Sequence, residues 1–180
     1  MLSELKSEFA PLAPLAVIET DYKVKGYHLD VEVGPDRVVD AAELLDRLGF
    51  FLEAVTGVDW LGKTPVGNQP DTVSVNEQAP EAAEAGAAGE PGSDAPPDKM
   101  EVVYDYNRTA GELCRVVVRC RLDRAKPELP TVSRLIPGAD WHERETHDFF
   151  GIVFTGHHDL SPLLLPEDAD FHPLRKDFKA

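Results

Sequence analysis

The chain has 180 residues, enough for one domain with a real core and few for two. Its 33 acids against 18 bases leave a formal charge of −15, and so acidic a chain is repelled by phosphate backbones, which argues against nucleic acid as a partner. It has no apolar run of the roughly 18 residues that spanning a bilayer needs, and Pro11 and Pro14 interrupt the only stretch resembling a leader, so a cytoplasmic protein is expected.

From the N-terminus, Leu2, Leu5 and Phe9 fall on one face of a short helix that Pro11 ends. In YHLDVEV, Tyr27, Leu29, Val31 and Val33 alternate onto one strand face. Gly34-Pro35-Asp36 then turns the chain toward a short returning strand at Arg37-Val38-Val39. Asp40, with Glu43 three residues later, reads as the N-cap of AAELLDRLG, whose buried stripe is Leu44, Leu45 and Leu48 and whose stop is Gly49. FFLEAVTGVDWLG follows as a strand, plain or bulged at Gly57.

Residues 64–99 differ in kind, being rich in proline, glycine, alanine and acids with no aromatic residue. Such a segment buries too little apolar surface to offset its ordering entropy, and it is expected to be a disordered insertion between two strands. Lengthening a hairpin connection costs little, because closure entropy grows only logarithmically.

MEVVYDYN and ELCRVVVRCRLD then pair across a turn at Gly111. Alternation puts Cys114, Val116, Val118, Cys120 and Leu122 on one face, and six residues of strand hold the two sulfurs roughly 20 Å apart, too far for a disulfide. Both thiols therefore read as core. TVSRLI reads as a short helix with Thr131 as its cap, and ADWHERETHDFFG as a second helix of about three turns. After Gly151 little regular structure is expected. The irregular apolar anchors of the tail suit wrapping across another surface better than folding on the chain itself.

Five of the six histidines lie within residues 139–178. A zinc-protease pair needs histidines four apart on a helix, whereas His142 and His147 are five apart, roughly 140° around the axis. His157 and His158 are adjacent and would diverge on a strand. No nucleophile stands at a readable distance from a base, and no phosphate-binding glycine loop occurs. The residues assign no catalytic, cofactor or metal site. Asp140–Arg144 and Arg144–Asp148 form i,i+4 pairs instead, with Trp141 on the same face. That pattern fits either a solvated helix or the anchor of a protein–protein contact.

These residues also resemble a known family. Glu143-Arg144-Glu145, Asp148 and Phe150-Gly151-Ile152 follow the ERE-x-x-D-x-F-G-I signature of the 30 kDa subunit of respiratory complex I, also called its C subunit. Gly156-His157 with Asp159-Leu160 is similar to its GHPDL, and Pro173-Leu174-Arg175-Lys176-Asp177-Phe178 to its closing PLRKDF. His158 stands where the family usually has proline, and the 64–99 insertion is unusual. Relatives also occur in energy-converting membrane-bound [NiFe] hydrogenases and formate hydrogenlyase-type assemblies.

The resemblance implies an α+β fold in two layers with a mixed sheet, in the order helix, two strands, helix, three strands, then a helix and an extended tail. Residues 1–63 and 100–155 would form one domain, 64–99 the insertion, and 156–180 a partner-binding tail. It implies an accessory, non-catalytic subunit with no cofactor of its own, peripheral on the cytoplasmic side of the membrane. Iron–sulfur clusters, and nickel–iron in the hydrogenase branch, would sit in neighbouring subunits. The partners would be the large quinone-site or hydrogenase-like subunit and adjacent iron–sulfur subunits. Its interface would comprise Trp141, Glu143, Arg144, Glu145, Asp148, Phe150 and Gly151. It would continue through Gly156, His157, Asp159 and Leu160 to Pro173, Leu174, Arg175, Lys176, Asp177 and Phe178. A stand-alone metal-dependent enzyme is the contrasting reading.

Overall fold

The computed structural model describes residues 2–62 and 99–179. The expected insertion at 64–99 lies, except for Lys99, outside them. The first helix, α1 (Leu2–Phe9), forms as its apolar spacing predicts and buries Leu5 and Phe9. A 3-10 turn at Ala10–Leu12, with Pro11 inside it, ends the helix. Strand β1 (Ala16–Glu19), a four-residue helix α2 (Tyr22–Lys25) and strand β2 (Leu29–Val33) follow, with Leu29, Val31 and Val33 buried.

The strand expected at Arg37-Val38-Val39 does not form. Pro35–Arg37 is a 3-10 turn, and helix α3 (Val38–Arg47) starts directly after it. Val38, Ala41, Ala42 and Leu45 are all buried, a spacing of three, four and seven, so the helical period outweighs the β preference of two valines. Asp40 is accordingly inside the helix, paired with Arg37 at 3.0 Å, rather than its cap. The partner of β2 is β1, antiparallel through Val17 and Val31. The overall order of helix, two strands and helix still holds, with Ala16–Glu19, ahead of the expected strand, as its partner.

Strand β3 (Phe51–Asp59), β4 (Lys99–Arg108) and β5 (Cys114–Asp123) complete a five-stranded mixed sheet in the order β1-β2-β5-β4-β3, with β2 and β5 parallel. The register of β3 slips between Leu52 and Ala54, so the bulge falls at Glu53 and not at Gly57. A bulge re-aims one side chain. Here Glu53 reaches Arg115 on β5 and accepts from Asn107 on β4 at 2.9 Å.

The sheet has two unlike faces. One carries Leu29, Val31, Val33, Val55, Met100, Val102, Tyr104, Tyr106 and the Cys114–Leu122 row, buried with α1 and α3. Each such side chain contributes about 1.5–3 kcal/mol on burial. Cys114 and Cys120 are free and buried, and burial pushes the Cys120 thiol up to about 12. The other face bears Asp30, Glu32, Glu101, Arg119 and Arg121 in cross-strand ion pairs.

Beyond the sheet, β6 (Glu128–Pro130) leads to a turn over 131–138, then helix α4 (Ala139–Phe150) and β7 (Val153–Thr155). TVSRLI is a single turn, not a helix, because Pro130 and Pro137 leave it no length and Thr131 and Val132 bond elsewhere. Strands β6 and β7, for which the sequence carries no clear alternation, pair in parallel at Leu129 and Phe154.

Candidate functional site: the fourth helix and the tail

Helix α4 turns Ala139, Glu143 and Thr146 inward, while Trp141 stands 64% exposed and Glu145 faces solvent. Gly151 takes φ +69 and stops it, its N–H reaching His147 O at 2.7 Å. At the far end Phe150 lies over Gly57, where a Cβ would stand 2.6 Å from the ring, so that glycine is needed for close packing between helix and strand.

The charged residues of the signature are mostly not at the surface. Glu143 is fully buried; Oε1 accepts from Val132 N at 2.8 Å and Oε2 from the Thr131 hydroxyl. Burial raises its pKa to about 7, against the pull of those two donors and with a further push from Asp140. Asp148 is also buried, and its Oδ2 accepts from three successive backbone N–H groups, of Leu163 and Leu164 at 2.8 Å and Leu165 at 3.3 Å. Such a run of amides is a concave anion nest closed on one carboxylate oxygen. Arg144 donates to Ser161, through Nε and Nη2 to the carbonyl and through Nη2 to the hydroxyl, and stands 3.7 Å from Asp159. Of the i,i+4 partners expected for it, Asp148 is taken by the tail amides and Asp140 lies beside His157 at 2.8 Å, so those two pairs do not form.

The tail does fold on its own domain. Helix C-termini leave carbonyls without partners, and here the closing segment supplies them. His172 Nδ1 lies 2.8 Å from Asp148 O, Leu174 N donates to Phe149 O at 3.2 Å, and Arg175 Nε donates to Phe150 O at 2.6 Å. A guanidinium there also complements the negative end of the helix dipole. A side chain at Gly151 would run into Arg175 and His172. Further along, Lys176 N donates to Asp59 Oδ2 at 3.0 Å, and Arg124 bridges Asp59 and Asp177 at 3.2 and 2.6 Å. Burial works against the Asp59 carboxylate, but Arg124 and the amides of Lys176 and Leu61 hold it below its ordinary range. Irregular anchor spacing hides this fold-back in the sequence, because the tail is held by backbone and cap bonds, which leave no hydrophobic period.

What this leaves outside includes several large apolar side chains among charged ones. Trp141, Leu164, Leu174 and Phe178 are exposed, as is Phe171, which stacks on Phe178 at 5.5 Å. Gly156, Lys176 and Asp177 are exposed, whereas Leu160 and Pro173 are half-covered. Sequence reasoning misses Thr131, Ser161, His172, Asp59 and Arg124 as partners of the signature. None of them stands at a helical or strand spacing from the residue it binds, so no local pattern points to them.

The histidines also separate. His147 Nδ1 lies 2.9 Å from Ile152 O, which ties down the helix end. His157 and His158 do not diverge, because they follow β7 in a turn and stack with ring centroids 5.0 Å apart. No helix among the described residues is long and apolar enough to cross a membrane.

The fold is that of a small α+β domain whose tail is clasped to its own fourth helix. The model of the family "Respiratory-chain NADH dehydrogenase, 30 Kd subunit" matches residues 31–180, and the chain belongs to that family. The NADH-quinone oxidoreductase C subunit of Roseiflexus sp. (strain RS-1) is 37% identical over 157 residues, covering 83% of this chain and 68% of that protein. Its counterpart in Herpetosiphon aurantiacus is 51% identical over 127 residues, 71% of this chain and 54% of that protein. Among solved structures, a trypsin-resistant fragment of Nqo5 superposes with a TM-score of 0.57 at 26% identity, covering 88% of this chain and 98% of the fragment. One chain of the membrane-bound sulfane sulfur reductase, an archaeal respiratory membrane complex, shares the fold with a TM-score of 0.67 at 20% identity, over 99% of this chain and 85% of that one.

Proposed function

We propose that this chain is an accessory, non-catalytic subunit in the peripheral arm of a complex I-like respiratory oxidoreductase. It docks on the large quinone-site subunit, beside iron–sulfur subunits that carry the electrons, on the cytoplasmic side of the membrane. The observation that carries this reading is the division of labour in the signature. Arg144, Asp148 and Gly151 fasten the tail from beneath, Glu143 holds the turn after β6 against the same helix, and the fastened tail and α4 expose Trp141, Leu164, Leu174 and Phe178. Pre-ordered aromatic and aliphatic anchors are what a stable interface uses, since little entropy is then lost on docking. Phe150, His157, Asp159 and Arg175 would act from behind this surface, and Glu145, Lys176 and Asp177 at its polar rim.

Affinity purification of the tagged chain from its own membranes, followed by mass spectrometry, tests the assignment. Recovery of quinone-site and NADH-module subunits is the expected result. Recovery of a nickel–iron hydrogenase large subunit would place the chain in an energy-converting hydrogenase or formate hydrogenlyase-type complex instead, and recovery of neither would overturn the proposal.

A further inference from the structure

Three ligand-bearing side chains converge at the start of α4. Asp140 in its first turn, and His157 and His158 in the turn after β7, each offer one atom, and those atoms lie within 4.8 Å of one another. His157 is the informative member. Its side chain is wholly buried, and its Nε2 stands 2.8 Å from Asp140 Oδ1. Yet the two are not aligned as a hydrogen bond, and neither buried atom has any other hydrogen-bond partner. Buried polar groups are almost always satisfied, and an unsatisfied pair facing one another is costly. His158 stacks on His157 at an interplanar angle of 16°, which brings its Nε2 to 3.9 Å from Asp140 Oδ2. Glu143 Oε2, 3.8 Å from His157 Nε2, adds a carboxyl behind the cluster.

We propose that Asp140, His157 and His158 form a binding site for one divalent first-row transition-metal cation. Two imidazoles and one carboxylate suit zinc, cobalt or nickel, whereas magnesium and calcium take oxygen ligands. The cation supplies what Asp140 Oδ1 and His157 Nε2 both lack, a shared positive charge between them. The Asp159 amide donates to His157 Nδ1 at 3.1 Å, so the neutral ring of the free chain carries its proton on Nε2. Loading shifts that proton to Nδ1 and releases the amide. Two of the ligands are adjacent at the root of the tail and the third is in α4, so the ion acts as a clasp. It holds the tail root, with Asp159 and Ser161, against the helix that carries Arg144. His158 leaves the site open on one side, its side chain being 69% exposed.

The test uses the full chain without a histidine tag, stripped with a chelator and titrated at neutral pH with Co2+ followed by its visible absorption and with Zn2+ by calorimetry. One equivalent of each is expected to bind. Asp140→Asn and His158→Ala should each weaken binding by about tenfold or more, while His142→Ala, outside the cluster, should leave it unchanged. Zinc should also raise the melting temperature of the wild type and not that of His158→Ala. Failure of the wild type to bind saturably would overturn the site, as would full affinity in both cluster variants, or loss in His142→Ala instead.

Discussion

Glu143 carries a carboxyl with no exposed surface, held by Val132 N and the Thr131 hydroxyl. Its pKa moves from 4.5 to about 7, chiefly through burial. Between those values the folded chain keeps a proton that the unfolded chain has lost. The stability Glu143 contributes is therefore complete below the lower value and disappears as pH rises through the upper one. Relative to Glu143→Gln, the wild type should lose up to ~3 kcal/mol between about pH 4.5 and pH 7. Urea unfolding of both proteins across that range measures the difference, and a constant difference would refute the titration. The family resemblance places Glu143 in a partner surface, and ERE on a helix is a charged, solvent-like pattern that does not show its burial. The pairing of β6 with β7 brings Thr131 beside the helix, and no spacing in the sequence announces it.

At the scale of elements, the close approach of the Phe150 ring to β3 rests on one glycine. Gly57→Ala places a methyl against the Phe150 ring and should cost about 1–3 kcal/mol by overpacking. A thermal melt against Thr56→Ala, an exposed neighbour on the same strand, reads this directly, and equal melting of the two would contradict it. Asp148→Ala leaves three tail amides without their acceptor and should release residues 163–165 at a cost of roughly 2 kcal/mol or more. Hydrogen exchange should then rise in that segment while the sheet stays protected; unchanged exchange there would mean the nest does not hold the tail.

The elements are unequally legible in the sequence. Helix α1 and strands β2, β4 and β5 follow from apolar period and local stops, whereas α4 follows only from the breaks at Pro137-Gly138 and Gly151, its buried Glu143, Thr146 and Asp148 being polar. The segment at 37–39 does not, since Val38-Val39 favours a strand locally and only burial beside Ala41, Ala42 and Leu45 decides for the helix. Gly57 has the look of a bulge in an isolated strand, yet it is the site of closest packing against Phe150. The tail is the least legible part, because its order comes from bonds to α4 rather than from its own residues.

For the whole molecule, the tail is a surface in its own right, fixed by the domain that carries it. Arg144→Glu sets a carboxylate against the Ser161 carbonyl and Asp159. The sheet and helices should stay folded, with circular dichroism unchanged, while co-purification with the large subunit falls severalfold. Full complex yield would show that the tail position does not matter to assembly. On the opposite sheet face, Arg119 and Arg121 stand instead in ion pairs with Glu101 of the same chain.

The most direct measurement replaces Trp141 with a photo-crosslinking phenylalanine analogue in cells that assemble the complex, with a second variant at exposed Phe51 on β3 as the control. Irradiation should link position 141 to the large quinone-site subunit, and position 51 should give little of that product. Crosslinks from 141 to no other subunit, or the same product from both positions, would contradict a docking surface at α4 and the tail.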